Sequence, residues 1–284
     1  MSLRLSFDTV GNGPRTLVLL HGFTGSRESF HRVEPLVRER FRLVRVDLPG
    51  HGLSPLPQSS GARGFEETLE ALERVLDEVS PSAPVHLAGY SQGARVALGL
   101  ALRAPQRVSR LVLESGTAGL HRRTARRERR AQDALLAQSI LREGVERFVE
   151  RWEALPLFDG LRRLPAPDRE SLRARRTGAT AEGLAGALQC LGLGVQPDYW
   201  GELWRFRRPT LLLTGAEDLK FTTLARRMAA ELPMVWSCAF EGVGHAPHLE
   251  APAAWAREVT AFLETPVTPF FESAPLGRES WSAA

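Results

Sequence analysis

Val85-His86-Leu87-Ala88-Gly89-Tyr90-Ser91-Gln92-Gly93 is the stretch that decides how this 284-residue chain is read. A short apolar run enters Gly-x-Ser-x-Gly, and a helix-forming segment from Ala94 to Arg103 follows at once. That is the strand–turn–helix setting of a nucleophile elbow. The sharp turn holds the serine in a strained backbone conformation, and glycines at 89 and 93 remove side chains that would clash there. Ser91 is therefore expected to stand beyond the end of the strand, beside the first amides of the next helix. The competing reading, a glycine-rich turn holding a serine by chance, does not account for the strand and helix on either side.

A lone serine hydroxyl is a weak nucleophile and a weak base, so partners are required. Behind such an elbow the chain order is serine, acid, histidine, with the last two each following a late strand. Thr210-Leu211-Leu212-Leu213-Thr214 reads as a buried strand and leads to Gly215-Ala216-Glu217-Asp218. Val235 to Phe240 reads as the next strand and leads to Gly242-Val243-Gly244-His245. Asp218 and His245 are the expected acid and base, the acid fixing the imidazole tautomer and the imidazole taking the serine proton. Glu217 and His248 are the rivals, each displaced from the expected loop position.

Further strands are expected at Leu17–Leu20, Leu43–Val46 and Arg110–Glu114. Helices are expected at Glu66–Val79, Ala94–Arg103, Leu224–Leu232 and Ala253–Leu263. This alternation predicts an α/β class with a mostly parallel sheet flanked by helices. The expected organisation is a core over 1–116 and 209–264, a helical lid over 117–208 inserted before the late strands, and a C-terminal extension over 265–284. That extension is rich in Pro, Ser and Gly and reads as a tail. His21-Gly22-Phe23-Thr24-Gly25 follows the first strand, and Asp47-Leu48-Pro49-Gly50-His51-Gly52-Leu53-Ser54 follows the second.

The formal charge of +4 is modest for this length and does not by itself indicate nucleic acid. No apolar run is long enough to span a membrane, and no signal-peptide pattern opens the chain. The two cysteines, Cys190 and Cys238, have neither metal-ligand nor redox spacing, which predicts a reducing cytoplasm and no metal. No dinucleotide fingerprint is present, so no cofactor is expected.

The segment between Gly116 and Pro209 is unusual in its charge. Arg122-Arg123-Thr124-Ala125-Arg126-Arg127-Glu128-Arg129-Arg130 is densely basic, and Arg173, Arg175 and Arg176 add to it. A solvated helix face explains most of these; a nucleic-acid patch is weaker, because no aromatic residues interleave. A third reading turns two or three of them inward as forks for carboxylates. Arg95, one turn beyond Ser91, supports that reading. So does Lys220, the only lysine among 37 basic residues, two positions after Asp218.

These stretches carry two resemblances. His21-Gly22-Phe23-Thr24-Gly25 and the Asp47–Ser54 turn resemble those of α/β-hydrolases. The likeness implies the α/β-hydrolase fold and an oxyanion hole from the Phe23 and Gln92 amides, each such donor worth roughly 3 kcal/mol. More specifically, the chain resembles the 2-succinyl-6-hydroxy-2,4-cyclohexadiene-1-carboxylate synthases, pyruvate-eliminating enzymes of menaquinone biosynthesis, over about residues 15–263. This likeness rests on the elbow with Ala94-Arg95, on Glu114 to Leu120, and on Arg126 to Arg130 with Asp133. It extends to Phe148 to Glu153 with Pro156-Leu157-Phe158, to Gln196 to Trp200, to Gly215 to Phe221 and to Gly244 to Glu250. It implies Ser91, Asp218 and His245 as a triad. It also implies Tyr90, Arg95, Arg129, Trp152, Arg176 and Lys220 as contacts to a small polycarboxylate substrate. Arg126 is the alternative to Arg129, and Arg173 or Arg175 to Arg176. Thr117-Ala118 stands where the family has Ser-Pro, and Ala94 where a glycine is common. An ordinary esterase or carbon–carbon bond hydrolase would share the triad without needing the arginines, and a non-catalytic binder would keep the triad only as ligand contacts.

Overall fold

The computed structural model describes residues 2–266. Seven strands form one sheet: β1 Phe7–Val10, β2 Arg15–Leu20, β3 Phe41–Val46, β4 Val85–Tyr90, β5 Val108–Glu114, β6 Thr210–Gly215 and β7 Val235–Phe240. Their spatial order is β1-β3-β2-β4-β5-β6-β7. All neighbours are parallel except β1, which pairs antiparallel to β3 with Phe7 opposite Val46. Every residue of β4 and β6 is buried, as expected for parallel strands covered on both faces.

The two faces divide the apolar residues by their period of two. Val18 and Leu20 join one core cluster while Leu17 and Leu19 join the other. The first cluster lies under α2 Gly61–Val79, α3 Gln92–Arg103 and α8 Leu219–Glu231. The second lies under α1 Glu34–Val37 and α10 Pro252–Glu264. Each fully buried leucine or valine here contributes roughly 1.5–3 kcal/mol of transfer free energy.

Between β5 and β6 the chain makes α4 Arg123–Glu143, α5 Val145–Glu153, α6 Ala166–Thr177 and α7 Ala181–Leu191, with a 3-10 stretch at Pro156–Arg163. This inserted segment has its own small core of Ala137, Ile140, Phe148, Val149, Leu184, Ala185 and Leu188, against which Phe23 and Trp152 pack. A short helix, α9 Pro247–Glu250, precedes α10.

The expected strands all form, most of them longer by one or two residues. Sequence reading missed β1, a four-residue edge strand with mixed polarity that bonds on one side only. All four expected helices start earlier than expected, two of them by five residues. One is α2, at Gly61 rather than Glu66. The other is α8, at Leu219 rather than Leu224, where Asp218 Oδ1 accepts from the Phe221 amide at 3.2 Å and so supplies the N-cap. The anticipated extension lies outside the described residues beyond Thr265 and Pro266.

The sheet order reverses between β2 and β4, the position where open α/β sheets bind ligands. The loops that follow β2 and β4 therefore face each other across one crevice.

Candidate active site

Ser91 follows β4 at φ 51° and ψ −105°, outside the ordinary allowed regions. The surroundings over-determine this conformation. The Ser91 amide donates to Glu114 O at 2.8 Å and the Arg95 amide to Ser91 O at 3.2 Å. A Cβ on Gly89 would come within 2.4 Å of Gly93 O, and one on Gly93 within 2.1 Å of Leu20 O. Only glycine lets the strand and helix approach this closely.

The structure brings the expected partners to the serine. His245 Nε2 lies 3.1 Å from Ser91 Oγ, and His245 Nδ1 donates to Asp218 Oδ2 at 2.6 Å. That bond commits the proton to Nδ1 and leaves Nε2 free to accept from the hydroxyl. Both partners are buried. The rivals are occupied elsewhere. Glu217 is exposed and pairs with Arg163 at 2.7 Å. His248 Nδ1 donates to Glu114 Oε1 at 2.6 Å, and Glu114 Oε2 accepts from Trp255 Nε1 at 2.8 Å.

Groups that sequence reading passed over hold the histidine loop. Glu250 accepts from the amides on either side of His245, Gly244 at 2.7 Å and Ala246 at 3.0 Å. Ser115, itself at φ 49°, donates through Oγ to His245 O at 2.8 Å. Arg163, from the inserted segment, reaches Gly242 O at 3.0 Å and Glu250 Oε2 at 3.5 Å. Glu250 closes the Gly244-to-Glu250 motif, so a carboxylate six residues after a glycine was the available signal.

The loop after β2 is held by two buried histidines. His21 Nδ1 donates to Gly22 O at 2.7 Å and Nε2 accepts from the Leu48 amide at 2.9 Å. His51 Nδ1 donates to Pro49 O at 3.0 Å and Nε2 accepts from the Thr24 amide at 3.2 Å. Each ring thus uses one nitrogen as donor and one as acceptor, which only the neutral form allows. Burial pushes His21 down to about 4 and His51 to about 3. These bonds tie the Phe23 loop to the Asp47–Ser54 turn. Gln92 is the first residue of α3, so its amide has no carbonyl one turn back to bond. The Phe23 amide donates to no backbone carbonyl among the described residues.

The polar side chains suggested by resemblance fall into two groups. Arg176 is buried, lies over the Phe158 ring at 5.1 Å and pairs with Glu153 Oε1 at 3.1 Å. Tyr90 is near it, packed on His245 with ring centroids 5.4 Å apart, and burial raises its phenol well above the usual value. Trp152 stacks on Phe23, Phe148 and Phe158, and its buried indole N–H has no partner. Arg95 forms the second group with Arg129, Asp133 and Gln196. Its Nη1 donates to Gln196 Oε1 at 3.3 Å, and Arg129 Nε donates to Asp133 Oδ1 at 2.8 Å. Burial, then the Arg129 charge, lowers Arg95 to about 9. Lys220 is gathered into neither group: it is exposed, with its ammonium 5.4 Å from the Phe221 ring. Of the alternatives, Arg173 is exposed on Glu153, and Arg175 lies against His31 and Ser171.

Among the described residues, no group of three or more His, Cys, Asp or Glu side chains is placed to hold a metal, and no helix is long and apolar enough to cross a membrane. What remains is a serine, an imidazole oriented by a carboxylate, two free amides and buried guanidiniums. That set can take a proton, hold a developing oxyanion and orient an anionic ligand.

A family model for the alpha/beta hydrolase fold matches residues 15–252, and the chain belongs to that family. Its curated relatives narrow the placement. A putative 2-succinyl-6-hydroxy-2,4-cyclohexadiene-1-carboxylate synthase of Bacillus subtilis (strain 168) is 36% identical over 252 residues, covering 89% of this chain and 91% of the relative. The synthase of that name from Klebsiella pneumoniae is 32% identical over 89% of this chain and 96% of its own length. Among solved structures, MenH from S. aureus superposes with a TM-score of 0.86 at 30% identity, over 93% of this chain and 98% of that one. Within the α/β-hydrolases, the chain belongs to the 2-succinyl-6-hydroxy-2,4-cyclohexadiene-1-carboxylate synthase family.

Proposed function

We propose that this protein eliminates pyruvate from 2-succinyl-5-enolpyruvyl-6-hydroxy-3-cyclohexene-1-carboxylate, giving 2-succinyl-6-hydroxy-2,4-cyclohexadiene-1-carboxylate in menaquinone biosynthesis. The observation that carries the reading is the pairing of an intact Ser91–His245–Asp218 relay with guanidiniums buried beside it, Arg95 at 9% and Arg176 at 6% exposure. A pocket for a simple ester has no use for buried cations. Glu153 answers Arg176, but among the described residues Arg95 has only the neutral Gln196 amide as a hydrogen-bond partner, and its desolvation is costly until an anion compensates. The substrate brings carboxylates to meet them.

In this mechanism His245, acting through Ser91, removes the ring proton adjacent to the succinyl ketone. The electron pair moves onto the ketone oxygen, and the Phe23 and Gln92 amides hold the resulting enolate. As the enolate collapses, the ring double bond shifts by one position and the C–O bond to the enolpyruvyl group breaks, so the departing pair leaves with pyruvate. Asp218 stabilises the imidazolium until its proton is returned. No acyl-enzyme forms and no water attacks. The segment 117–208 serves as a lid over the crevice. Arg176, Tyr90 and Trp152 form one wall of the pocket, and Arg95 and Arg129 a second; Lys220 lies at its rim. Their task is to aim the acidic proton at Ser91, which requires tight placement. The unpartnered indole N–H of Trp152 is satisfied by the bound substrate. With its two unpaired cysteines, the protein is read as acting in the reducing cytoplasm.

The test is pyruvate release from substrate generated in situ from isochorismate and 2-oxoglutarate by the preceding enzyme, with Ser91→Ala in parallel. Ser91-dependent release well above the spontaneous rate is expected. Release at the spontaneous rate, with ester turnover through a trapped acyl-Ser91, would overturn the elimination in favour of a hydrolase.

A further inference from the structure

The inserted segment carries a second basic feature that the proposed chemistry does not use. A cleft of about 540 Å³ is lined by Arg123, Arg126, Arg127 and Arg130 on one side and by the chain from Gly194 to Pro197 on the other, with Ala62 at its end. Ser91, Asp218 and His245 are not among its lining residues. Gln196 lines the cleft and also contacts Arg95. It is buried, with Oε1 accepting from Arg95 and Nε2 donating to Thr117 O at 3.1 Å.

Spacings of three, four and seven residues put the four arginines on one face of α4, where like charges repel. They also lie in its first two turns, at the positive end of the helix dipole, with no acidic residue in the first turn and no side-chain N-cap from Arg122. Many arginines elsewhere are answered by carboxylates, among them Arg45 by Asp8 and Glu34, Arg103 by Glu66 and Glu73, and the neighbouring Arg129 by Asp133. Among the described residues none of the four cleft guanidiniums has an ion pair or a side-chain hydrogen bond. The cleft is therefore a concentration of uncompensated positive charge in a concave site.

We infer that this cleft binds a small polyanion carrying two or more carboxylate or phosphate groups. Its volume falls within the usual small-molecule range of roughly 300–1,000 Å³, and planar guanidinium forks match the geometry of both anions. A nucleic-acid strand fits less well, because the lining holds no aromatic side chain on which bases could stack.

Isothermal titration with citrate and with tripolyphosphate at constant near-physiological ionic strength tests the inference. The wild type is compared with an Arg123→Gln/Arg127→Gln/Arg130→Gln variant and with Arg176→Ala. Saturable 1:1 binding of at least one probe is expected, weakened tenfold or more in the triple variant and retained in Arg176→Ala. The tighter probe tells polycarboxylate from polyphosphate ligands. The triple variant should melt no lower than wild type, since it relieves repulsion, and its turnover should be unchanged without added anion. Absence of saturable binding by either probe would overturn the inference. So would equal affinity in the triple variant, loss of binding in Arg176→Ala, or binding confined to duplex DNA or anionic vesicles.

Discussion

The catalytic loops of the core and the arginine-rich segment between β5 and β6 hold their polar groups in opposite ways. In the core each functional group is fixed by short bonds to backbone or buried acid: Ser91 by the Glu114 carbonyl, His245 by Asp218, Ser115 and the two amides that Glu250 anchors. In the inserted segment Arg176 rests on one carboxylate and an aromatic face, and the cleft arginines on no side chain at all. The core holds the proposed proton-transfer relay, which tolerates little displacement. The segment mixes guanidiniums already paired to carboxylates, such as Arg176 and Arg129, with cleft arginines that no carboxylate answers among the described residues.

Substitutions separate the two regimes. Ser91→Ala, with the fold intact by circular dichroism, should lower kcat for pyruvate release by about a thousandfold or more, because it removes the group in contact with the proton. Glu250→Gln keeps the size of the side chain while weakening its bonds to the two amides beside His245. It should cost about ten- to a hundredfold, mostly in kcat with KM little changed. A rise in KM alone would mean that Glu250 acts through the pocket wall and not through the imidazole. Arg176→Lys should do the reverse, raising KM by roughly tenfold through loss of the planar fork. An equal fall in kcat at saturating substrate would move Arg176 into the same class as the core groups.

The smallest effect is read in stability and not in turnover. His21 and His51 are held neutral in the folded chain, with pKa values lowered from 6.5 to about 4 and about 3. The unfolded chain binds more protons in that interval, so stability is complete above about pH 6.5 and falls as the pH drops towards the folded values. The full loss is about 3 kcal/mol for His21 and about 5 kcal/mol for His51. Urea titrations should show it, and His51→Asn should flatten the dependence between pH 6.5 and 4. Unchanged steepness in that variant would remove His51 from the account.

Much of this was legible in the chain because the signals were local and periodic. Gly89 to Gly93 between an apolar run and a helix placed the elbow, and the order of strand ends placed Asp218 and His245. The edge strand β1 was invisible because Phe7–Val10 has neither a full alternation nor neighbours on both sides. Ser115 and Glu114 escaped because their roles depend on contacts between distant loops, which no spacing encodes, whereas Glu250 acts within its own loop and had its spacing from Gly244 as a signal. The arginines of the segment allowed a solvated face for most and an inward carboxylate fork for two or three, but sequence could not sort them. Whether a guanidinium meets Phe158, as Arg176 does, or stays exposed on Glu153, as Arg173 does, depends on how α6 is rotated against its neighbours.

Asp218 carries a consequence for how such a site can change over time. One of its oxygens orients His245 and the other starts α8 by accepting from Phe221. Removing an N-cap of this kind costs about 1 kcal/mol. A lineage that moved the acid to another strand would therefore lose the start of a helix in the same step, even if the new carboxylate served the histidine equally well. Shared use of one side chain makes the acid harder to relocate than its chemistry alone requires.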